Sequence, residues 1–289
     1  MSVVGMVGLG IMGSAMSGHL VTGGLEVHGT DISPDAVERH VAAGGHAAAD
    51  VAAVTAVADV VITSLPSSDA ALHVCRDLAA AVRPGLVVVE TSTLSLAVKN
   101  TCRELLEPAG AVLLDCPLSG TGAQALQRDV VVFGSGDQQA FEHVRPVLEV
   151  FARSVQHVGM FGNGTTMKLV ANLLVSIHNA STAEAFALGM RAGLDPQQLY
   201  DTVRDGAGGS VIFDKRGPLM VGRTYLPATA KVSMFVKDVG LVQELATSLG
   251  LATPVLDATL PLYQRAVEVG LGDSDAAALL DVLDGTASR

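Results

Sequence analysis

The chain has 289 residues, 49% of them hydrophobic and 16% charged, which is typical of a folded protein of one or two domains and excludes a disordered one. Its formal net charge of -11 at pH 7 argues against nucleic acid as a partner, because the phosphates would be repelled. The opening segment MSVVGMVGLG has no basic residue to begin a signal peptide and is interrupted by glycine too early to span a membrane, so we expect a cytoplasmic protein without a membrane partner.

Through the first half of the chain, short runs of β-branched residues alternate with alanine-rich stretches. The runs predict strands at SVVGMVGLG, LEVHGTD, DVVITSLP, GLVVVETST, AVLLDCPLS and DVVVFGSG. The stretches between them predict helices at MGSAMSGHLVTGG, PDAVERHVAAGG, DAALHVCRDLAAAV and SLAVKNTCRELLEPAG. Strands that alternate with helices indicate a mostly parallel sheet covered by helices, which is an α/β fold.

After about residue 162 the strand signals stop. The stretch TTMKLVANLLVSIHNASTAEAFALGMRAG predicts one long helix that ends at Gly193, with Pro196 just beyond it. Further helical blocks are predicted at 196–205, 228–249, 254–269 and 274–284. The change of period predicts an α/β domain over residues 1–162 and an all-α domain over residues 163–289, joined by the long helix.

A glycine-rich turn follows the first predicted strand and begins the first predicted helix. The segment VGLGIMG has G-x-G-x-x-G spacing, with Gly8, Leu9, Gly10, Ile11, Met12 and Gly13 in order. The first glycine permits a tight turn, the second lets the backbone approach a pyrophosphate, and the third brings helix against strand. The start of a helix also favours negative charge, so together with the acidic residue after the next strand the segment predicts a dinucleotide-binding loop. The alternative is a structural turn, because glycines close many strand–helix turns.

An acidic residue, Asp31, ends the next predicted strand, where a carboxylate can bind the ribose hydroxyls of a dinucleotide. The same carboxylate would repel a 2′-phosphate, and the segment DISPD offers no arginine to bind one. The sequence therefore predicts NAD as the cofactor in preference to NADP. The alternative is a turn aspartate close to the start of a helix, since Pro34 follows soon after.

Five further segments resemble, in order, those of the β-hydroxyacid dehydrogenases, the group of 3-hydroxyisobutyrate dehydrogenase and tartronate semialdehyde reductase. They are SLP at 64–66, ETSTLS at 90–95, DCPLSGTGAQA at 115–125, GNGTTMKLVAN at 162–172 and KD at 237–238. The likeness covers nearly the whole chain. It implies a Rossmann-type NAD-binding domain over residues 1–162, a helical substrate and oligomerisation domain over residues 163–289, and a homodimer or homotetramer.

The resemblance also implies a reaction and assigns residues to it. Hydride transfer would interconvert a small 3-hydroxy acid and its semialdehyde or keto form. The residues implied at the cofactor, besides the glycine loop and Asp31, are Leu65, Pro66, Thr93, Lys237 and Asp238. Those implied at the substrate are Ser119, Gly120, Thr121, Asn172 and Lys237.

Lys168 lies within the apolar run GNGTTMKLVANLLV, one helical turn before Asn172. Oxidation of a hydroxyl needs a base for its proton, and the reverse reaction needs an acid at the same oxygen. The resemblance implies that Lys168 takes this role, with Asn172 orienting it or the substrate. The alternative from the residues alone is a lysine whose stem packs at the first turn of a helix while its head reaches water.

Two departures from the family pattern follow the expected substrate loop. Thr121 stands where the family commonly has a second glycine, and Arg128, Asp129 and Val130 stand where it commonly has Gly-Thr-Leu. They leave the expected chemistry unchanged but leave the substrate open.

Other classes of function are less well supported. An imine reductase of the same architecture usually lacks the lysine at the position of Lys168, and a non-catalytic dinucleotide sensor would not need Lys168, Ser119 and Lys237 together. The eight histidines show no metal-ligand spacing, and neither do Cys75, Cys102 and Cys116, so we expect no metal. So few cysteines, without a paired spacing, suit a reducing compartment.

Overall fold

The structure is a computed structural model of the chain, and it describes residues 3–287. It divides into two compact units, Met1–Lys168 and Leu169–Arg289. This division falls inside one long helix, whereas the boundary inferred from the sequence, between residues 162 and 163, lies at the start of that helix.

A parallel sheet forms the centre of the first unit. The strands of this unit are β1 (Val3–Val7), β2 (Glu26–Thr30), β3 (His46–Ala47), β4 (Val60–Thr63), β5 (Val87–Glu90), β6 (Val112–Asp115), β7 (Leu118–Ser119), β8 (Val131–Gly134) and β9 (Ser154–His157). The first six form one sheet in the order β3-β2-β1-β4-β5-β6, with every pairing parallel. Strands β4 and β5 are buried throughout, as expected of a sheet that is covered on both faces.

Helices cover this sheet and connect its strands. They are α1 (Ile11–Thr22), α2 (Pro34–Ala42), α3 (Val51–Val57), α4 (Ser68–Ala81), α5 (Leu96–Leu106), α6 (Gly122–Leu126) and α7 (Gln138–Phe151), with a short 3₁₀ helix at Glu107–Ala109. Several begin at a Ser, Thr or Asp whose side chain accepts a backbone N–H of the first turn, among them α3 at Asp50, α4 at Ser67 and α7 at Asp137. Local capping thus fixes where these helices start.

The last three strands form a separate, mixed sheet. Strand β7 is antiparallel to β8, and β8 is parallel to β9, so the expectation of a mostly parallel arrangement holds for the six-stranded sheet alone. The sequence analysis missed β3, α3, α6, α7 and β9, and it predicted β6 and β7 as one strand. β3 has two residues, and β9 is a polar SVQH run, so neither carries a strong strand signal. Helix α7 contains Pro146, which weakens its helical pattern.

The second unit is helical. Its helices are α8 (Asn163–Arg191, which begins in the first unit), α9 (Pro196–Arg204), α10 (Val211–Gly222), α11 (Val232–Ser248), α12 (Pro254–Asp257), α13 (Leu260–Glu268) and α14 (Leu279–Asp284), with a 3₁₀ helix at Ala276–Ala278. No strand occurs between residues 163 and 287, as the sequence predicts. Helix α10 was not predicted, and the block expected at 254–269 is divided between α12 and α13.

Buried polar contacts tie the helices of the second unit together. The Arg216 guanidinium lies 2.8 Å from a carboxylate oxygen of Asp275, and both side chains are almost completely buried. The amide of Asn179 donates to the hydroxyl of Tyr263 at 3.1 Å and to the carbonyl of Ala276 at 3.0 Å. Asn179 therefore serves the packing of this unit.

Across residues 3–287, none of the helices combines the length and apolarity needed to cross a bilayer.

Candidate active site

The glycine loop connects β1 to α1 beside the end of the neighbouring strand β4, with Val7 in register with Thr63. Gly8 has a φ of 93°, and a Cβ on it would lie 2.2 Å from the carbonyl oxygen of Ser64. A Cβ on Gly13 would lie 2.0 Å from the carbonyl oxygen of Gly8. Both positions therefore require glycine, the first for its backbone conformation and the second for the close approach of helix and strand.

The middle glycine is different, because the space around it is open. A Cβ on Gly10 would meet no atom within 4 Å, and the residue is exposed. Gly10 is the N-cap of α1, so no side chain caps the N–H groups of that helix. The backbone can thus be approached by a phosphate at the helix terminus, which favours negative charge, and the residues present fit a dinucleotide. Around Gly10, Leu9 is buried, Met12 packs against the core and Ile11 is exposed.

Asp31 is tied to this loop. One of its carboxylate oxygens accepts the Leu9 N–H at 2.6 Å, and the other accepts the Ser33 N–H at 2.8 Å. The second bond is the turn contact that the sequence analysis gave as the alternative role of Asp31. The two roles are compatible, because each carboxylate oxygen has a further lone pair to offer a ribose hydroxyl.

The loops after β4 and β5 lie at the same edge of the sheet as the glycine loop, because the carboxyl ends of neighbouring parallel strands share an edge. The Leu65 N–H donates to the Ser92 hydroxyl at 2.8 Å, which joins the two loops. Pro66 is exposed and Thr93 is half-buried. Leu65, Pro66 and Thr93 therefore lie at the edge of the sheet where the strand order reverses, between β1 and β4.

A buried ionic cluster, formed by Lys99, Glu90 and Asp115, lies at the ends of β5 and β6. The exposed fraction of each side chain is 1% or less. The Lys99 ammonium contacts Glu90 directly and lies 3.0 Å from a carboxylate oxygen of Asp115. Burial alone would lower the pKa of Lys99, but the two carboxylates outweigh it and raise the pKa above its usual range. The ammonium is thus held charged.

Asp115 also binds the first turn of α8. Its carboxylate accepts the Thr165 N–H at 2.7 Å and the Thr165 hydroxyl at 2.8 Å. The neighbouring Gly164 N–H donates to the Ser135 hydroxyl at 2.9 Å. A Cβ on Gly164 would lie 2.6 Å from the carbonyl oxygen of Asp115, so the helix start is packed directly on the strand end. Lys168, half-buried, follows Thr165 by three residues on this helix.

The helical unit has a polar group of its own. The amide of Asn172, one turn after Lys168 on α8, donates to a carboxylate oxygen of Asp238 on α11 at 3.0 Å. Lys237 is about half exposed, and its ammonium lies 3.7 Å from the other oxygen of Asp238. The structure thus brings Asn172 to the pair of Lys237 and Asp238, which the sequence predicted as one segment.

The expected substrate loop follows β6. Ser119 ends β7 and pairs with Val131, and Gly120 has a φ of 145° that favours glycine. Thr121 is the N-cap of α6: its hydroxyl accepts the Gln124 N–H at 3.4 Å, and the Gln124 side chain accepts the Thr121 N–H at 3.1 Å. The hydroxyl of Thr121, a residue that the resemblance implies at the substrate, is thus engaged in a capping box.

The second departure from the family pattern also has a local structural role. Arg128 adopts a φ of 57°, a conformation that favours the glycine common in the family. The carboxylate of Asp129 accepts from the Gln124 amide at 2.9 Å and from the Arg153 guanidinium at 2.8 Å. Val130 is fully buried. These residues therefore brace α6 and the start of β8.

Among residues 3–287, one group of three possible metal ligands has its ligand atoms within 4.8 Å of one another: Glu26, His28 and His46. Spacing in the sequence does not reveal it, because parallel pairing sets His28 opposite His46. The Glu26 carboxylate already lies 2.7 Å from the Nε2 of His28, and hydrogen bonding to His28 lowers the pKa of Glu26. The two groups thus satisfy each other, at the end of β2 that is remote from Asp31.

The sequence analysis missed Lys99, Glu90, Asp115 and Thr165 as a group. The available signal was a lysine in the helix that follows ETSTLS, together with acids at the ends of two adjacent predicted strands. Acids at neighbouring strand ends of a parallel sheet lie close together, and a buried pair of them needs a cation.

Two family models match the chain in succession. Residues 3–159 match the NAD binding domain of 6-phosphogluconate dehydrogenase, and residues 162–283 match the model described as the NAD-binding of NADP-dependent 3-hydroxyisobutyrate dehydrogenase. L-threonate dehydrogenase of Cupriavidus necator is 32% identical over 286 residues, which are 98% of this chain and 96% of that protein. The chain belongs to the β-hydroxyacid dehydrogenase family.

Two other members of this family are similar over their whole length. NAD-dependent L-serine dehydrogenase of Pseudomonas aeruginosa is 31% identical and covers 99% of each chain. The solved structure of Mycobacterium tuberculosis 3-hydroxyisobutyrate dehydrogenase with L-serine has a TM-score of 0.92 at 28% identity, over 98% of this chain and 99% of that one. The predictions of the family, of its two-part fold, of a hydroxyacid dehydrogenase and of NAD as cofactor are confirmed.

Proposed function

We propose that the protein interconverts a small 3-hydroxy acid and its semialdehyde or keto form by hydride transfer, with Lys168 as general acid and base. The observation that carries the proposal is the anchoring of α8. A buried cluster fixes the first turn of this helix through Thr165, and the helix then presents Lys168 and Asn172 one turn apart. A proton-transfer group has to be held in place to act on one oxygen atom.

In this account the first unit holds the cofactor. The backbone around Gly10 and the start of α1 would bind the pyrophosphate, and Asp31 the ribose hydroxyls. Leu65, Pro66 and Thr93 would line the cofactor at the neighbouring strand ends, and Lys237 and Asp238 of the helical unit would serve its nicotinamide. The bound cofactor supplies the hydride acceptor or donor. We propose a preference for NAD over NADP, because the Asp31 carboxylate would repel a 2′-phosphate.

Lys168 would take the proton of the substrate hydroxyl during oxidation and return a proton to the carbonyl oxygen during reduction. Lys168 is half-buried and follows directly on the anchored first turn of α8, so its side chain would act from a fixed place. The Asn172 side chain donates to Asp238, so its carbonyl oxygen is the group with which it would orient an ammonium or a hydroxyl.

The substrate carboxylate would be bound by Ser119 and Gly120, whose turn exposes hydroxyl and N–H donors, and by Lys237. The Thr121 hydroxyl serves the capping box, so the side chain would offer its methyl group to the substrate and narrow the space beside the loop. L-threonate and L-serine, on which the relatives named above act, both have a carboxylate, a hydroxyl on the third carbon and a polar group on the second. We propose that this chain acts on acids of that class.

We further propose a cytoplasmic homodimer or homotetramer. The three cysteines are free and buried, which suits a reducing compartment. Val170, Leu174 and Leu188 expose apolar side chains along α8, and a second copy of the chain would cover such a surface. Light scattering on the purified protein would measure the size of the assembly, and a monomer at all concentrations would contradict this part of the proposal.

The decisive experiment is a screen of the purified protein with NAD against short hydroxy acids, followed by the absorbance of the reduced cofactor. The panel includes L-threonate, L-serine and 3-hydroxyisobutyrate, and a matched 2-hydroxy acid without a hydroxyl on the third carbon. We expect turnover of 3-hydroxy acids only. Reduction of cyclic imines without any turnover of hydroxy acids would indicate an imine reductase, and NAD binding without any turnover would indicate a sensor.

A further inference from the structure

We propose that Thr165 and Asp115 are positioning residues for Lys168: the buried cluster of Lys99, Glu90 and Asp115 holds the start of α8 so that the lysine acts from a fixed place. This inference rests on the proposed role of Lys168. It concerns groups that would touch neither substrate nor cofactor and would affect the reaction only through the helix.

The charges of the cluster explain why it binds a helix start. Two carboxylates surround one ammonium, so the cluster keeps one negative charge at 1% exposure or less. A buried charge is costly unless it is compensated. The N–H groups at the start of α8 provide the compensation, because a helix N-terminus carries partial positive charge. Asp115 accepts both the N–H and the hydroxyl of Thr165.

The anchoring comes from elsewhere in the chain. The side-chain amide of Asn163, the first residue of α8, donates back to the Val158 carbonyl at 2.9 Å. The N–H groups of Gly164 and Thr165 are bound instead by Ser135 and Asp115, which lie after β8 and at the end of β6. The turn that leads to Lys168 is therefore tied to two strands.

Helix geometry carries this restraint to the lysine. Lys168 lies three residues beyond Thr165, within one turn of about 5.4 Å. If the first turn frays or shifts, the lysine backbone moves with it, and a displacement of about 1 Å at a reacting group can cost ~10²-fold in rate. The bond between Thr165 and Asp115 would therefore act on the chemical step and leave the binding of NAD unchanged.

The chain offers a matched pair of threonines for the test. Thr165→Val removes the hydroxyl that donates to Asp115, and Thr165→Ser keeps it. Thr166→Val removes the adjacent hydroxyl, which donates to the Gly162 carbonyl at 2.9 Å and does not contact the cluster. We expect Thr165→Val to lower kcat about ten-fold, which corresponds to ~1.4 kcal/mol, with the Kd for NAD within about two-fold of wild type. Thr165→Ser and Thr166→Val should keep kcat within about two-fold.

A double-mutant cycle with Lys168→Ala separates positioning from general stability. If Thr165 acts through Lys168, Thr165→Val should cost less than about two-fold in the Lys168→Ala background, because no ammonium remains to be positioned. The same loss in both backgrounds, or no loss in either, overturns the positioning role. Should Lys168→Ala itself keep full activity, the proposed function fails, which is a different result.

A second measurement does not depend on activity. Amide hydrogen exchange of residues 163–168, measured on the protein without ligand, should be faster in Thr165→Val than in Thr166→Val, with the remaining peptides unchanged. Ser135→Ala, which removes the acceptor of the Gly164 N–H, provides a second variant if Thr165→Val does not fold. It should also speed exchange of this segment and lower kcat. Unchanged exchange in the folded variants overturns the proposal.

Discussion

Replacing Lys99 by methionine removes the ammonium that lies between two buried carboxylates while nearly keeping the volume of the side chain. Glu90 and Asp115, whose side chains are each 1% exposed or less, would then have no cation between them. Asp115 would lose the ammonium that lies 3.0 Å from one of its carboxylate oxygens. Breaking a buried ion pair by removing one partner costs about 3–5 kcal/mol, because the remaining charge is uncompensated. For a chain of this size the loss lowers the thermal midpoint by roughly 10 °C.

The pH dependence of this loss tests its cause. In the wild type the pKa of Lys99 is raised, so its contribution to stability is fully present below the ordinary lysine value and is lost only as the pH rises through the raised one. Between about pH 5 and pH 8 this contribution is constant. The loss of stability in Lys99→Met should therefore be present at both ends of this range.

The assay is guanidinium unfolding followed by circular dichroism, at about pH 8 and about pH 5, for wild type, Lys99→Met and the control Lys215→Met. Lys215 is exposed, and its replacement should change the free energy of unfolding by no more than about 0.5 kcal/mol. If the free energy of unfolding of Lys99→Met lies within about 1 kcal/mol of the wild-type value at both pH values, the electrostatic account of the cluster is wrong.

Three other predictions follow from single positions. Wild-type kcat/KM should be higher with NAD than with NADP. Asp31→Ser should lower the ratio of the two kcat/KM values and weaken NAD binding, since Asp31 also accepts the Leu9 N–H. Equal kcat/KM values in the wild type would show that the carboxylate does not face the ribose. Burial lowers the pKa of His40, so the stability that its neutral ring contributes is fully present above about pH 6.5 and is lost as the pH falls toward the lowered value. The free energy of unfolding of His40→Gln should therefore change less with pH across that range than the wild-type value does, and an identical pH dependence would refute this. Arg128→Gly should raise the thermal midpoint by about 2–4 °C, because glycine relieves the strain of a φ of 57°; a lower midpoint would show that the arginine side chain contributes more than its backbone costs.

The sequence predicted the parts of the fold that depend on local pattern. Alternating apolar strands and helices predicted the six-stranded sheet, and the loss of strand signals after residue 162 predicted the helical second half. The glycine spacing predicted a loop whose outer glycines have no room for a Cβ and whose middle glycine is open. In each case neighbouring residues contain the physical cause, so a single segment is enough to reveal it.

The parts that were missed depend on residues far apart in the chain. Asp115 accepts the Thr165 N–H only because β6 ends beside the start of α8, and the hydrophobic period of neither segment shows that the two ends are close. Asn172 was expected to act on Lys168 or the substrate, and the structure gives its amide a partner on α11, Asp238. Thr121 was expected at the substrate, and the structure gives its hydroxyl a local partner in the capping box with Gln124.

The central claim is that Lys168 moves the proton, and Lys168→Ala tests it most directly. The measurement is kcat with the best hydroxy acid of the panel, beside the Kd for NAD and the thermal midpoint of the same preparation. We expect kcat to fall by at least ~10²–10⁴-fold, as for other removed acid–base groups, while NAD binding and the midpoint stay close to wild type. A folded Lys168→Ala protein that binds NAD and keeps more than about a tenth of wild-type kcat would contradict the assignment.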